Sequence, residues 1–198
     1  MLFKQLKDNK NILDTDFNTI YPSPLDDLAG LHFSPITVIQ DAIEFLVQQE
    51  GTRVLDIGSG AGKFCMVGAS CSTGVFTGVE QHEHLHLISK KMSKYYQIKD
   101  VHFIHQNINT INFSDYDAFY FFNSFYENLD ISDSLISNME INRDLYHEYS
   151  AYVYDQLQNM PIGTRLVSYF SYNLEIPNNY LLQSSSHEGK LKMWIKTT

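Results

Sequence analysis

One segment, Val54–Gly62, constrains the fold of this chain more than any other. Its first part, Val54–Ile57, is apolar apart from one aspartate, which is typical of a buried strand. Glycines follow at positions 58, 60 and 62, and glycine readily adopts the positive φ angles of a tight turn. The segment therefore predicts a strand that runs into a glycine-rich turn and then a helix, a layout that brings bare backbone against a nucleotide-like ligand.

The spacing of the glycines separates this turn from two other nucleotide-binding motifs. A dinucleotide fingerprint, G-x-G-x-x-G, that starts at Gly58 needs a third glycine at position 63, where the chain has Lys63. A P-loop needs serine or threonine after its glycine–lysine pair, but Phe64 stands there. What remains is the pattern D-x-G-x-G-x-G, from Asp56 to Gly62.

The rest of the chain alternates strand patterns with helix patterns, which predicts a doubly wound α/β fold. We expect a mostly parallel seven-stranded sheet with a C-terminal antiparallel hairpin. A first helix is expected to begin with Ser34 as its N-cap and to end at Gly51, after an irregular N-terminal arm at residues 1–35. The predicted strands are 53–57, 75–80, 101–105, 117–122, 164–170, 180–184 and 190–196, and the later helices are 61–71, 82–97 and 143–158.

The composition is that of a globular chain with an acidic surface. Its 198 residues suit one domain, and its formal net charge of −9 disfavours duplex nucleic acid as a partner. Cys65 and Cys71 fall in one predicted helix and suit a reducing compartment. The N-terminus lacks the apolar core of a signal peptide, and no apolar run approaches the roughly 20 residues of a membrane span. We therefore expect a cytoplasmic protein without a membrane segment.

With its D-x-G-x-G-x-G turn and this order of elements, the chain resembles the class I (Rossmann-like) S-adenosylmethionine (SAM) dependent methyltransferases from about residue 34 to residue 198. The resemblance implies that SAM is the cofactor and that the turn cradles its amino-acid end, since SAM carries no phosphate. It implies methyl transfer to a small molecule or a protein side chain. It also implies that the arm at residues 1–35 caps the site of a single SAM-binding domain at residues 36–198.

The cofactor is expected at the edge of the sheet where the parallel strands end. Glu80 ends the second strand, and an acid at that place can accept both ribose hydroxyls. Asn107 follows the third strand, where the family often has an acid that accepts from the adenine amino group, and an amide oxygen also accepts. The resemblance assigns cofactor binding to Asp56, Gly58, Ser59, Gly60, Gly62, Glu80, Gln81, Asn107 and Asn123.

The fourth strand ends at Asn123, where the family places the residues that face the methyl acceptor. Ser124 and Phe125 replace both prolines of the [DN]-P-P-[YF] motif of amino-directed nucleic-acid methyltransferases, which argues against base methylation. The candidate catalytic residues are Asn123, Tyr126 and Glu127, and His32 is a further candidate base.

Two alternative functions stay open at this point. The chain could bind SAM without catalysing methyl transfer, because no residue is assured as a catalytic base. The segment His82-Glu83-His84-Leu85-His86 also matches H-E-x-x-H, the pattern of zinc hydrolases in which two histidines one helical turn apart hold the metal. No third ligand stands out downstream, and the match lies at the start of a crossover helix, so we expect no metal site.

Overall fold

The computed structural model describes residues 2–8, 12–23, 25, 32–122, 124–125, 142–171 and 173–198. Seven strands form one sheet in the order β3-β2-β1-β4-β5-β7-β6. The strands are β1 (Arg53–Ile57), β2 (Val75–Glu80), β3 (Val101–His105), β4 (Ala118–Phe122), β5 (Arg165–Tyr169), β6 (Tyr180–Ser186) and β7 (Leu191–Lys196). The helices are α1 (Leu2–Lys7), α2 (Asp14–Asn18), α3 (Ile36–Leu46), α4 (Lys63–Cys71), α5 (Glu83–Tyr95) and α6 (Arg143–Gln158).

The pairing of the strands confirms the predicted fold class. β1 lies in the middle and pairs in parallel with β2 and β4, while β3 and β5 extend the parallel sheet on either side. β7 runs antiparallel to β5, and β6 pairs with β7 to complete a C-terminal hairpin. Because β1 to β5 all point the same way, their carboxyl ends lie along one edge of the sheet.

Buried side chains cover both faces of the sheet, as a doubly wound fold requires. On one face α3, α4 and α5 contribute to a cluster that includes Ile39, Met66 and Leu85. On the other face α6 packs through residues such as Val153 and Leu157. No helix within the described part of the chain is long and apolar enough to cross a membrane.

The N-terminal region corrects three expectations. The arm is not irregular throughout, because it contains α1 and α2, and α1 packs on α4. Ser34 is not the N-cap of α3: its hydroxyl bonds the Tyr120 hydroxyl at 2.6 Å, and the Ile36 amide donates instead to the Asp14 carboxylate at 3.0 Å. α3 ends at Leu46, before Gly51, because Val47 is already extended.

Candidate active site

The turn after β1 forms at the carboxyl edge of the sheet, as predicted. Gly58, Gly60 and Gly62 all have positive φ angles, of 72°, 53° and 83°. The Ser59 amide donates to the Val79 carbonyl of β2 at 2.9 Å, and the Gly62 amide closes the turn on the Ser59 carbonyl at 2.9 Å. These bonds hold the turn against β2 and leave α4 to begin at Lys63.

The three glycines of the turn differ in what surrounds them. A Cβ atom placed on Gly62 would lie 2.5 Å from the Phe103 ring, and one placed on Gly58 would lie 2.6 Å from the Ser124 hydroxyl. A Cβ atom placed on Gly60 would meet no atom of the described residues within 4 Å. Gly62 and Gly58 are therefore required by packing, while Gly60 borders open space where a ligand has access to bare backbone.

Glu80 connects the end of β2 to this turn. Its Oε2 accepts from the Gly60 amide at 2.8 Å, and its Oε1 accepts from the His82 amide, also at 2.8 Å. The side chain is buried, and these two bonds fix its carboxylate beside the turn, at the edge of the sheet where the cofactor is expected.

Ser59 presents a hydroxyl beside the same turn. The residue is only 9% exposed, and within the described residues its Oγ has no hydrogen-bond partner. The side chain lies against β2, because a Cβ atom on Gly78 would approach the Ser59 Oγ to 2.6 Å. A buried hydroxyl without a partner is costly. A bound ligand or an ordered water is the ordinary way to satisfy it.

Asp56 lies beneath the turn rather than on its open side. Its carboxyl group is buried and accepts from the Cys65 thiol of α4 at 3.4 Å. Burial raises the pKa of Asp56 from its ordinary value of 3.8 to about 7, with the thiol opposing that rise and the nearby Glu80 carboxylate adding to it. Asp56 therefore joins β1 to α4, the helix that follows the turn.

Asn107 belongs to a chain of polar side chains beyond β3. Its Oδ1 accepts from the Asn109 amide at 3.3 Å, and it is the N-cap of a 3-10 helix, Ile108–Thr110. Its Nδ2 donates to the Tyr149 hydroxyl at 2.5 Å and to the Gln81 Oε1 at 3.4 Å. The structure therefore brings the predicted residues Gln81 and Asn107 together, and it adds Tyr149 from α6.

The predicted acceptor residues Asn123, Tyr126 and Glu127 lie outside the described residues. Beside them the Ser124 hydroxyl donates to the Ile57 carbonyl, which ties the end of β4 to the turn after β1. His32 is half-buried in the arm, close to the start of α3.

Aromatic side chains line the carboxyl ends of β4 and β5. Phe122 and Tyr169 are register partners with ring centroids 4.9 Å apart. Phe170 follows with φ of 51°, is 48% exposed and lies 4.8 Å from the Tyr169 ring. The Lys190 ammonium lies 5.1 Å from the Phe170 ring centroid. We call Phe122, Tyr169, Phe170 and Lys190 the acceptor wall, because they border the edge of the sheet where the methyl acceptor is expected from the sequence.

The H-E-x-x-H pattern lies on the first turn of α5. His82 is the N-cap residue, and the His86 ring is buried against the His105 ring at 5.4 Å. Within the described residues no group of three or more His, Cys, Asp or Glu side chains is placed to hold a metal ion. The two histidines therefore gain no third protein ligand from that part of the chain.

Sequence reasoning missed two contributors to this region. Lys63 entered the sequence analysis only as the residue that replaces the third glycine of the dinucleotide fingerprint. In the structure it is 3% exposed and pairs with Asp14 at 2.5 Å. Tyr149 was not among the predicted site residues. The available signal for Lys63 was a lysine between the glycine turn and the apolar residues 64–67, because lysine is rarely buried without a partner.

The matches to known proteins agree with this geometry. A family model described as protein-L-isoaspartate(D-aspartate) O-methyltransferase matches residues 14–123. A search of curated proteins finds no significant match.

Solved structures show the same fold at low sequence identity. The chain is similar to an RNA methyltransferase from Salinibacter ruber in complex with S-adenosyl-L-homocysteine (SAH), with 18% identity, a TM-score of 0.58, and coverage of 83% of this chain and 93% of that chain. It is similar to a mutant of MtNAS in complex with SAM, with 12% identity, a TM-score of 0.60 and coverage of 98% and 73%. It is also similar to TrmN from Thermus thermophilus, with 14% identity and a TM-score of 0.59. That match covers 87% of this chain and 51% of TrmN, so this chain spans about half of that protein.

Proposed function

Because the chain belongs to the protein-L-isoaspartate(D-aspartate) O-methyltransferase family, and is therefore a SAM-dependent methyltransferase, we propose that it methylates a carboxylate oxygen of a protein side chain. The observation that carries the proposal is the family match. It begins at α2 in the arm and reaches the end of β4, so it includes the whole turn after β1. The acceptor class is the part that needs an experiment.

The residues present fit the proposed cofactor. The turn offers bare backbone at Gly60, the Ser59 hydroxyl needs a partner, and the Glu80 carboxylate is held where a ribose would bind. We assign Glu80 to the ribose, Gln81 and Asn107 to the adenine end, and the turn with Asn123 to the amino-acid end. Asp56 is buried and joins β1 to α4.

A carboxylate acceptor agrees with the chemistry of the site. SAM, when bound, supplies an electrophilic methyl group on a sulfonium sulfur. An ionised carboxylate already carries the lone pair that attacks this carbon, so no protein base has to remove a proton. The protein has to align the acceptor and exclude water. This accounts for an acceptor edge built from aromatic rings.

The acceptor wall also supplies a cation in an otherwise acidic protein. The formal net charge is −9, so a free carboxylate approaching the surface is repelled unless a local cation compensates. Lys190 stands at the end of β5 beside the exposed Phe170 ring, and its other partner, Glu188, is 82% exposed. We assign Lys190 to the recognition of the acceptor carboxylate and Phe122, Tyr169 and Phe170 to the flanking chain.

The test is methyl transfer from radiolabelled SAM to matched acceptors. Peptides that differ only in carrying isoaspartate, aspartate or asparagine at one position are compared with a structured RNA and with free dicarboxylic acids. We expect base-labile methyl esters on the isoaspartyl peptide, a raised KM with little change in kcat for Lys190→Met, and no change for the control Lys192→Met. Labelling of RNA alone, or base-stable labelling, would contradict the carboxylate acceptor.

A further inference from the structure

Lys63 breaks a local rule of helix construction. It is the first residue of α4, where the helix dipole disfavours a positive charge, and its side chain is 3% exposed. Gly62 before it provides no side-chain cap. Burial lowers the pKa of Lys63, and the Asp14 carboxylate opposes that shift. A buried lysine at the start of a helix lowers the stability of the protein, so its role lies in the contacts of its ammonium group.

Within the described residues, the Lys63 ammonium contacts three side chains that all belong to α2 of the arm. The ammonium donates to the Asp14 Oδ1 at 2.5 Å and to the Asn18 Oδ1 at 3.1 Å, and it lies 5.3 Å from the Phe17 ring centroid. The same Asp14 oxygen accepts from the Ile36 amide at 3.0 Å. One carboxylate therefore joins three elements: α2, the start of α3 and the start of α4.

The position of Lys63 relates this contact to the candidate cofactor site. It directly follows the turn in which Gly60 borders open space, and it is the first residue of the helix after that turn. A change in the docking of α2 thus acts on the residue next to the turn. A change in the turn acts equally on the partner of Asp14. Both sites bias the same ion pair, which is the physical requirement for coupling between them.

We propose that Lys63 and Asp14 form a clamp that couples docking of the N-terminal arm to cofactor binding, with Lys63 as a positioning residue for the turn. The inference rests on the proposed function in taking Gly58–Gly62 as the SAM site. The Lys63 side chain is 3% exposed and that of Asp14 41%, so the ion pair holds a buried ammonium against a partly exposed carboxylate. In this role the ion pair selects one arrangement of the arm, because undocking α2 would leave the buried ammonium without its counter-charge. SAM binding and arm docking then favour each other reciprocally.

The test compares Asp14→Asn, Lys63→Met and the double variant with the control Asp16→Asn. Asp16 lies in the same turn of α2 and is exposed, and the Lys63 ammonium bonds Asp14 and Asn18 instead, so Asp16→Asn removes one negative charge without touching the clamp. Two readouts are used: amide hydrogen exchange of residues 12–23 in the protein without ligand, and the dissociation constant of SAH by calorimetry.

We expect each single clamp variant to exchange faster in α2 and to bind SAH about tenfold more weakly, within the range typical of coupled sites. The double variant should bind SAH no more weakly than the single variant with the lower affinity, since both changes break the same ion pair. SAH should slow exchange in α2 of the wild-type protein but not of Lys63→Met. Asp16→Asn should match the wild type in both readouts.

Other outcomes overturn the clamp in distinguishable ways. Faster exchange with unchanged SAH affinity would leave Lys63 as a purely structural contact. Weaker binding in Lys63→Met but not in Asp14→Asn would make Lys63 a direct ligand of the cofactor. If Asp14→Asn does not fold, Lys63→Met still decides, because replacing a buried charge with an apolar chain is commonly tolerated. Wild-type protein that binds no SAH would instead refute the cofactor assignment and, with it, the coupling, while the exchange data would still report on arm docking.

Discussion

The Glu80 carboxylate accepts a hydrogen bond from the Gly60 amide at 2.8 Å, which joins the end of β2 to the turn after β1. The two residues are 20 positions apart in the chain: Glu80 ends β2, and Gly60 lies in the turn that follows the neighbouring parallel strand β1. The bond fixes the carboxylate beside the one glycine of the turn that borders open space. The geometry of the candidate cofactor site depends on this pair.

Replacing Glu80 with glutamine should weaken SAH binding by roughly tenfold or more, since a bond to a charged acceptor contributes about 1.5–3 kcal/mol. Glutamine has one acceptor oxygen, so it can keep the bond from Gly60 or the bond from His82 but not both. Calorimetric titration measures the affinity, and thermal unfolding checks the fold. The control is Glu83→Gln, because Glu83 is an exposed acid at the start of α5. Equal losses in both variants would argue against a specific role for Glu80.

The Gly60→Ala and Gly62→Ala variants should differ: the first should lose mainly SAH affinity and the second mainly stability. Both residues have positive φ, which costs an alanine about 1–2 kcal/mol. At Gly62 the added Cβ also meets the Phe103 ring at 2.5 Å, so this variant should lose roughly 1–3 kcal/mol more in urea denaturation. Gly60→Ala should keep most of its stability and lose SAH affinity, because its Cβ enters the open space.

Gly163→Ala provides the control for backbone strain alone. Gly163 has φ of 91°, and its Cβ would meet nothing within 4 Å of the described residues. This variant should lose stability about as Gly60→Ala does and bind SAH normally. Normal SAH binding by Gly60→Ala would place the cofactor elsewhere.

Asp56 should make the protein less stable as pH rises. The pKa in the folded state is about 7 against an ordinary 3.8, so the stabilising contribution of the protonated form is complete below about pH 4 and lost as pH rises through 7. At roughly 1.4 kcal/mol per pKa unit, the free energy of unfolding should fall by roughly 2–3 kcal/mol between pH 5 and pH 8 on account of this group. The change should be absent in Asp56→Asn, measured by urea denaturation at both pH values. Parallel pH profiles of the two proteins would show that Asp56 is ionised in the folded state.

The two thiols should react slowly with thiol reagents while the protein is folded. Cys65 is fully buried, and burial raises its pKa. Cys71 is half-buried, donates to the Leu6 carbonyl of α1 at 3.8 Å, and has a pKa raised by burial to about 11. At pH 8 its thiolate fraction is then roughly 100-fold below that of a free cysteine. Reagent labelling followed by mass spectrometry should find Cys71 modified before Cys65, and Cys71→Ser should abolish the earlier phase. Fast labelling of Cys65 would contradict its burial beneath the turn.

The layout of the sheet and the place of the turn could be predicted from the residues alone. Strand and helix patterns are local, so β1 to β7 and α4 to α6 were predicted to within about three residues, and the spacing of the glycines identified the family resemblance. Glu80 and Asn107 were predicted as site residues because the carboxyl ends of parallel strands meet at one edge, and their role in binding the cofactor stays a prediction. The arm was predicted less well, since α1 and α2 are short and packing on α4 stabilises them more than propensity does.

Tertiary structure alone decided which distant side chains meet. Asp14 caps α3 in place of Ser34 because the packed arm brings its carboxylate to both Ile36 and Lys63, while Ser34 turns to Tyr120. Asn107 meets Tyr149 across 42 positions of chain. The raised pKa of Asp56 likewise follows from burial under the turn. Periodicity and spacing report neighbours along one element, whereas these contacts arise where separate elements pack, and that geometry is set by the whole fold.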